Sequence, residues 1–364
     1  MIKKMKTKAR AIAYYLPQYY PIPENDDWWE KGFTEWTNVT KAKPLFPGHH
    51  QPNLPTELGF YDLRVPETRE QQADLAREHG IEGFCYWHYW FGNGKRILDK
   101  IFKEVLESGK PDFPFCIAWA NETWKGIWHG LDNQILAEQT YPGVEDYTAH
   151  FYELLPAFKD SRYIRVNNKP LFVIYKAFDI PDVKVFLDLW NSLAKENGLE
   201  GFYFVGHLFD FRKCQELLDL GLDAVNVVRM NEVQRLLPKP KLTLKEKLEH
   251  KLKNYSTEIP KYEYSDAITV LLGEESRNKN IIPTLFPNWD HSPRSKGKTL
   301  VLHDSTPEFF RKHVQDALDL VKDKPQEEKI IFIKSWNEWA EGNYLEPDRR
   351  YGRKYLEALK DEII

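Results

Sequence analysis

The chain has 364 residues, of which 42% are hydrophobic and 29% are charged, a composition typical of a folded globular protein. Lys and Arg number 51 against 55 Asp and Glu, and the resulting net charge of −4 argues against a generic nucleic-acid-binding protein, which would be basic. No run of about 18 apolar residues occurs in the sequence, so we expect no transmembrane helix.

The N-terminus and the cysteines bear on the compartment in which the protein works. The basic N-terminus lacks an apolar run of signal-peptide length and a small-residue cleavage site, so we expect a cytoplasmic protein. Cys85, Cys116 and Cys214 form an odd, sparse set without metal-type spacing, which argues against a disulfide framework. Their apolar neighbours predict buried free thiols.

Short apolar or β-branched segments recur along the chain and predict eight β-strands. The predicted strands lie near residues 10–16, 81–87, 113–119, 170–176, 201–206, 223–229, 281–286 and 329–335. Segments of helical periodicity follow them, at about 67–79, 96–108, 145–159, 181–197, 210–219, 263–276, 307–323 and 348–361. Glycines that directly follow three of these helices, Gly80, Gly198 and Gly221, support the helix ends. Eight such units predict an α/β fold, a single (β/α)8 TIM barrel over residues 1–364.

The segments after the predicted strands are unequal, and in a barrel these βα loops form the catalytic face. The first, at about 17–66, is rich in Pro and Trp, and the third lies at about 120–144. A basic insertion follows the sixth strand, at about 231–262. Two interpretations of its basic stretch 239–253 stay open: a solvated helical excursion, or a patch for an anionic lipid, a nucleotide or a partner such as membrane-bound glycan machinery.

Aromatic residues are unusually frequent, at 14% of the chain, and 12 of them are Trp. Only Trp190 falls in a predicted outer helix. The other eleven map to the C-terminal face of the barrel: Trp28, Trp29, Trp36, Trp87, Trp90, Trp119, Trp124, Trp128, Trp289, Trp336 and Trp339. Some of them must pack loops, but sugars also stack their C–H faces on aromatic rings. The pattern therefore predicts a carbohydrate site, with an oligosaccharide or polysaccharide as the partner and no nucleic acid.

Glu338 and Glu341 are three residues apart, directly after the last predicted strand. A bare pair at this spacing is also typical of surface glutamates at the start of a helix, but Trp336, Asn337 and Trp339 around it favour a site. Two carboxylates close together in a partly dry cleft differ in pKa, so one serves as acid and the other as base. That division suits glycosidic bond cleavage, and we predict both as catalytic residues.

Further substrate-binding candidates are aromatic or polar residues at the ends of the predicted strands, which the barrel would bring within reach of one ligand. These candidates are Tyr15, Trp36, Trp87, His88, Trp119, Asn121, Glu122, Trp124, His207, Arg229, Trp289, Asp290, Trp336, Asn337 and Tyr344. Glu122 is also an alternative catalytic carboxylate. The histidines lack the helical spacing of a metal site, so we expect neither a catalytic metal nor a cofactor.

Four segments carry long and distinctive motifs: AIAYYLPQYYPIPENDDWWEKGFTEWTNV, WANETW, FPNWDHSPR and SWNEWAEGNYLEP. They resemble the WbsX-type proteins, also described as glycoside hydrolase family 99-like, and the resemblance covers about residues 10 to 355. Members of that family are often encoded with genes for bacterial O-antigen (lipopolysaccharide) or capsule synthesis and are commonly labelled glycosyltransferases. Relatives in glycoside hydrolase family 99 are retaining endo-acting α-mannosidases on a (β/α)8 barrel.

The resemblance implies roles for the two glutamates. Glu341 would be the acid/base that protonates the leaving oxygen, and Glu338 would deprotonate the sugar 2-hydroxyl, which then forms a 1,2-anhydro sugar. The chain departs from the Glu-x-His-Glu signature of those hydrolases at Ala340, so we expect its sugar contacts to differ.

Three functions follow as hypotheses. The first is a retaining enzyme that cleaves α-glycosides, and the second is a glycosyltransferase or transglycosylase of polysaccharide biosynthesis. Against a sugar-nucleotide donor, the chain has no Asp-x-Asp motif, and Ile97 stands where a third glycine would follow Gly92 and Gly94. The third hypothesis is a non-catalytic glycan-binding barrel.

Overall fold

The computed structural model describes residues 7–126, 135–239, 259–295 and 300–364. Eight strands form a closed barrel: β1 (Arg10–Tyr15), β2 (Ile81–Trp90), β3 (Phe115–Trp119), β4 (Lys169–Ile174), β5 (Tyr203–Leu208), β6 (Ala224–Val227), β7 (Ile281–Leu285) and β8 (Ile330–Ile333). Neighbours pair in parallel around the ring, and β1 pairs with both β2 and β8. The predicted TIM barrel is confirmed.

Helices connect and surround the strands: α1 (Pro23–Trp28), α2 (Glu35–Lys41), α3 (Pro66–Glu78), α4 (Lys100–Ser108), α5 (Val144–Lys159), α6 (Val183–Glu196), α7 (Cys214–Asp219), α8 (Met230–Leu236), α9 (Tyr264–Leu271), α10 (Ser292–Ser295), α11 (Pro307–Val321) and α12 (Lys354–Ile363). The glycines predicted to end α3, α6 and α7 have positive φ values, which L-residues rarely adopt. No helix in the described part of the chain combines the length and apolar character needed to cross a bilayer.

Short strand pairs and 3₁₀ turns lie in the segments that connect the barrel strands and helices. Small strand pairs join Trp124–Lys125 to Ile135–Ala137, Lys261–Glu263 to Val301–His303, and Asn337–Glu338 to Asn343–Tyr344, while Arg96–Ile97 and Arg165–Val166 pair with β2 and β4. Single 3₁₀ turns span Ala177–Asp179, Phe211–Lys213, Glu274–Arg277, Gln326–Glu328 and Trp339–Glu341.

Several predicted helix boundaries differ from the structure by a few residues, and the last helix and the basic insertion differ most plainly. The last helix was expected from residue 348 but begins at Lys354, because the Asp348 carboxylate accepts backbone hydrogen bonds from Arg350 and Tyr351 and holds a turn there. Helix α8 occupies the start of the predicted basic insertion. Residues 240–258 lie outside the described residues, so the interpretation of the stretch 239–253 stays a prediction.

A polar network crosses the barrel interior and supports the face above it. The Tyr14 hydroxyl donates to Asn226 Oδ1 (2.8 Å), and Asn226 Nδ2 donates to Thr284 Oγ1 (2.8 Å). These residues belong to β1, β6 and β7, and all three are fully buried. Satisfied hydrogen bonds of this kind hold the strands in one arrangement, since any slip would leave a buried polar group unpaired. The three cysteines are buried and free, as expected.

Candidate active site

A cleft of about 430 Å³ opens at the C-terminal ends of the strands. The first βα loop forms one side of it, and the loop after β3 forms the other. Its lining residues are Leu16, Gln18, Asn25, Trp29, Phe33, Glu35, Asn38, Trp87, Tyr89, Ala120, Glu122, Thr123, Trp124, Lys125, Leu136, Tyr175, His291, Arg294, Lys334, Glu338 and Glu341. Aromatic rings and carboxylates thus share one concave surface, as a sugar site requires.

Glu338 lies at the floor of the cleft, where the chain leaves β8. Its backbone N–H donates to Ser335 Oγ (2.8 Å), which fixes the turn. Its carboxylate accepts a hydrogen bond from the buried Lys334 ammonium at 3.1 Å. That ammonium also lies over the rings of Trp87 and Trp289, 5.9 and 5.7 Å from their centroids.

Glu341 has a richer set of partners. Arg294 on α10 donates to Glu341 Oε1 at 2.6 Å, and Asn343 Nδ2 donates to Oε2 at 3.1 Å. His291 Nε2 lies 3.5 Å from Oε1. Arg294 also donates to Glu35 Oε1 at 2.6 Å, so one guanidinium joins the first βα loop to the loop after β8 (residues 335–348).

These partners drive the proton affinities of the two carboxyl groups apart. Burial and the nearby Glu341 charge raise the pKa of Glu338, although Lys334 opposes this. Burial would also raise the pKa of Glu341, but Arg294 and Lys334 outweigh it and hold that pKa well below its usual value. The pKa values of these two neighbouring carboxyl groups are therefore shifted in opposite directions, and Glu338 binds a proton more readily than Glu341 in the unliganded cleft.

Aromatic rings form the walls above this pair. Trp87 stacks face to face on Tyr14, with centroids 4.8 Å apart, so its own position is rigid. Tyr175 meets Trp87 edge-on at 5.7 Å. Across the cleft, Trp124 packs edge-on against Trp28 at 5.8 Å. Rings held in this way offer stacking surfaces at little entropic cost.

The structure brings five of the sequence-predicted site residues into the cleft wall: Trp87, Glu122, Trp124, Glu338 and Glu341. Glu122 forms an ion pair with Lys176 and is half-exposed, so its surroundings differ from those of the buried pair.

Three other predicted residues support this wall from behind. Asp290 is buried and accepts hydrogen bonds from Gln51 (2.5 Å) and the backbone of Ser292 (3.0 Å), and its own N–H donates to the Glu341 carbonyl (2.8 Å). It thereby joins α10 to the loop after β8. Trp289 contacts Lys334, and His207 packs beneath Trp87 at 6.2 Å.

Several predicted residues face the outer helices instead. The Tyr15 hydroxyl donates to Gln72 on α3 (2.7 Å), His88 Nε2 lies 2.9 Å from His150 Nε2 on α5, and Trp119 packs edge-on against His150 (5.0 Å). Side chains alternate between the two sides of a strand, so their neighbours Tyr14 and Trp87 point into the barrel. Tyr15, His88 and Trp119 therefore lie in the layer between sheet and helices, away from the cleft.

The remaining predicted residues pack the loops. Trp36 donates to the Tyr61 carbonyl, Trp336 packs on Phe84, Asn337 bonds the backbone of Leu16, and Tyr344 stacks on Trp339 at 3.8 Å. Asn121 bonds the backbone of Lys176, and Arg229 pairs with Glu275 beside α9. These contacts place all six outside the cleft wall.

Sequence reasoning missed Glu35, Arg294 and Lys334. Lys334 carried a usable signal, because it ends the apolar strand segment KIIFIK and a lysine there needs a buried counter-charge. Glu35 and Arg294 lie in two of the distinctive motifs, GFTEWTNV and FPNWDHSPR, but nothing in the sequence pairs them, and only the fold brings them together.

Comparison with known protein families shows the family to which this chain belongs. A family model described as "Glycosyltransferase WbsX" matches residues 11–359. The chain belongs to the WbsX family. The resemblance inferred from the motifs is thereby confirmed.

The WbsX-family chain is 33% identical over 358 residues to "Uncharacterized protein WxcX" from Xanthomonas campestris pv. campestris, in strain B100 and in strain ATCC 33913. The match covers 98% of this chain and 50% of each relative, so the chain spans about half the length of these relatives.

Solved structures share the fold of this WbsX-family chain. The GH99 endo-alpha-mannosidase from Bacteroides thetaiotaomicron aligns with a TM-score of 0.55 at 14% identity, covering 97% of this chain and 95% of that one. A "Glycoside hydrolase-like protein" aligns with a TM-score of 0.58 at 15% identity, covering 100% and 95%. These solved structures therefore share the barrel fold of this chain over nearly its whole length.

Proposed function

We propose that this WbsX-family barrel cleaves an α-glycosidic bond with retention of configuration, with Glu338 and Glu341 as the catalytic pair. The observation that carries the proposal is the pair itself: two buried carboxyl groups, with pKa values shifted in opposite directions, in a cleft walled by Trp87, Trp124 and Tyr175. Glycoside cleavage needs one group that donates a proton and one that accepts a proton.

The reaction follows the roles that the family resemblance implies. Glu338 removes the proton of the sugar 2-hydroxyl, whose oxygen attacks the anomeric carbon. The glycosidic C–O bond breaks, and its oxygen takes the proton of Glu341. Water then attacks the anomeric carbon of the 1,2-anhydro sugar and gives its proton to Glu341, while the released 2-oxygen takes back the proton from Glu338. Two inversions at one carbon give net retention.

The pKa shifts in the unliganded cleft run opposite to these roles, because Glu338 has the raised pKa and Glu341 the lowered one. The pair must therefore pass one proton from Glu338 to Glu341 when the sugar binds. Lys334 Nζ lies 3.1 Å from Glu338 and 3.8 Å from Glu341, so its charge is close to both groups whichever of them holds a proton.

Transfer to a sugar acceptor is the second candidate, and the family's description as a glycosyltransferase favours it. The same intermediate opens equally well to a sugar hydroxyl. Carboxylates already engage the cations of the cleft floor, Arg294 and Lys334, which favours a glycan donor over a sugar diphosphate.

A screen against defined α-linked oligosaccharides and nucleotide sugars, followed by proton NMR, tests the proposal. We expect turnover of an α-linked glycan, and loss of turnover with retained binding in the Glu341→Gln variant. Unchanged turnover in that variant would overturn the assignment, whereas binding without turnover by the unaltered protein would indicate a glycan-binding barrel.

A further inference from the structure

Lys334 is a buried cation that the reaction scheme above does not use as an acid or a base. Its side chain is 9% exposed, and its ammonium lies between the indole rings of Trp87 and Trp289. A buried ammonium is costly unless it is paired, and the carboxylates of Glu338 and Glu341 supply that pairing.

The carboxyl groups around Lys334 outnumber the lysine and arginine cations that pair with them, and His291 Nε2 also lies 3.5 Å from Glu341 Oε1. Three buried carboxyl groups, those of Glu35, Glu338 and Glu341, surround the two cations Lys334 and Arg294. With all three ionised the cluster is left with one negative charge, and a single proton makes it neutral. Without Lys334, two protons would be needed.

We propose that Lys334 is a positioning residue that limits the Glu338–Glu341 pair to a single shared proton, and so keeps a base available. The inference rests on the proposed function for its catalytic meaning. Its geometric basis is independent: one ammonium, fixed between two rings, lies within 4 Å of both carboxylates. From that place it stabilises whichever of the two is the anion.

The groups that face Lys334 come from several elements, and each one affects the balance. They are Glu338 and Glu341 on the loop after β8, Arg294 on α10 and His207 on β5. Burial and the nearby Lys334 charge lower the pKa of His207 well below its usual value, so it is neutral at physiological pH. Burial would lower the pKa of Lys334, but the two glutamates outweigh it and raise that pKa, so the lysine stays charged.

The test measures the titration of the two glutamates directly, by carbon NMR of protein labelled at the glutamate carboxyl carbon. Spectra of Glu338→Gln and Glu341→Gln assign the signals. In Lys334→Met we expect the carboxyl groups to bind protons at higher pH, by about one pH unit or more, because an opposite charge within about 4 Å has been removed. Lys334→Gln, which also lacks the charge, should show the same shift. In Lys334→Arg the two glutamates should titrate as they do in the unaltered protein.

Lys324→Met is the matched control, because Lys324 is also buried but donates to the Ile281 carbonyl, away from the cleft. It should leave the glutamate titration unchanged. An unchanged titration in Lys334→Met or Lys334→Gln would overturn the inference. Once a substrate is known, the acidic limb of the kcat/KM profile should move to higher pH in both variants. The NMR result stands without turnover, so failure of the proposed function stays distinguishable.

Discussion

The two glutamates of the cleft differ in their neighbours, although only two residues separate them in the chain. Glu341 meets Arg294, Asn343 and His291, whereas Glu338 has Lys334 as its charged partner. Burial alone would raise the pKa of both groups, and the unequal number of positive partners makes the difference. Function at this scale depends on which side chains the fold brings to each carboxyl group.

The roles of the two residues can be separated with α-glycosyl fluorides, whose fluoride leaves without protonation. If Glu341 is the acid, Glu341→Gln should retain much of the rate of fluoride release in the first turnover while losing activity on the glycoside by about 10²-fold or more. Glu338→Gln should lose both activities, since the base is needed in either case. Equal losses for both variants on both substrates would contradict the division of roles.

At the scale of elements, Glu346 fixes the loop after β8 (residues 335–348). Its buried carboxylate accepts hydrogen bonds from Gln72 on α3 (2.6 Å), from the Tyr61 hydroxyl (2.9 Å) and from Trp339 Nε1 (2.6 Å). One side chain thereby joins a helix and the first βα loop to the segment that carries both glutamates. Burial, opposed by these hydrogen bonds, raises the pKa of Glu346 to about 7.

This raised pKa predicts a pH dependence of stability. The folded protein binds the Glu346 proton more tightly than the unfolded chain, whose pKa is 4.5, so this group lowers stability as pH rises from about 4.5 to about 7. The loss amounts to about 3 kcal/mol. The Glu346→Gln variant should not show this loss. Its free energy of unfolding, measured with urea, should therefore rise relative to that of the unaltered protein as pH increases from about 4.5 to about 7. A constant difference between the two would contradict the prediction.

At the scale of the whole molecule, the sequence predicted the barrel but not the direction of its side chains. Eight alternations of strand and helix signals suffice for a TIM barrel, and all eight strands formed. These strands are buried on both faces, so they carry no polar–apolar alternation that tells inside from outside. Trp87 therefore entered the cleft while the adjacent His88 faced α5, and sequence alone could not separate them.

The tryptophans divide into those that pack the core and those that line the cleft. Trp190 lies fully buried between helices and sheet, 4.7 Å from Phe186, whereas Trp124 lines the cleft. Trp190→Ala should lower the free energy of unfolding by about 3–5 kcal/mol. Trp124→Ala should cost less stability and weaken glycan binding about ten-fold. Urea unfolding measures the stability of the two variants, and calorimetry measures their affinity for glycan. If Trp190→Ala weakened glycan binding as much as Trp124→Ala, the division would be contradicted.

The central claim is retention through Glu338 and Glu341, and the anomeric configuration of the first product tests it most directly. Proton NMR can follow the new anomeric signal of an α-linked substrate before mutarotation scrambles it. The account predicts that the α-anomer appears first and that the β-anomer grows in only at the rate of mutarotation. A β-anomer formed first would contradict it.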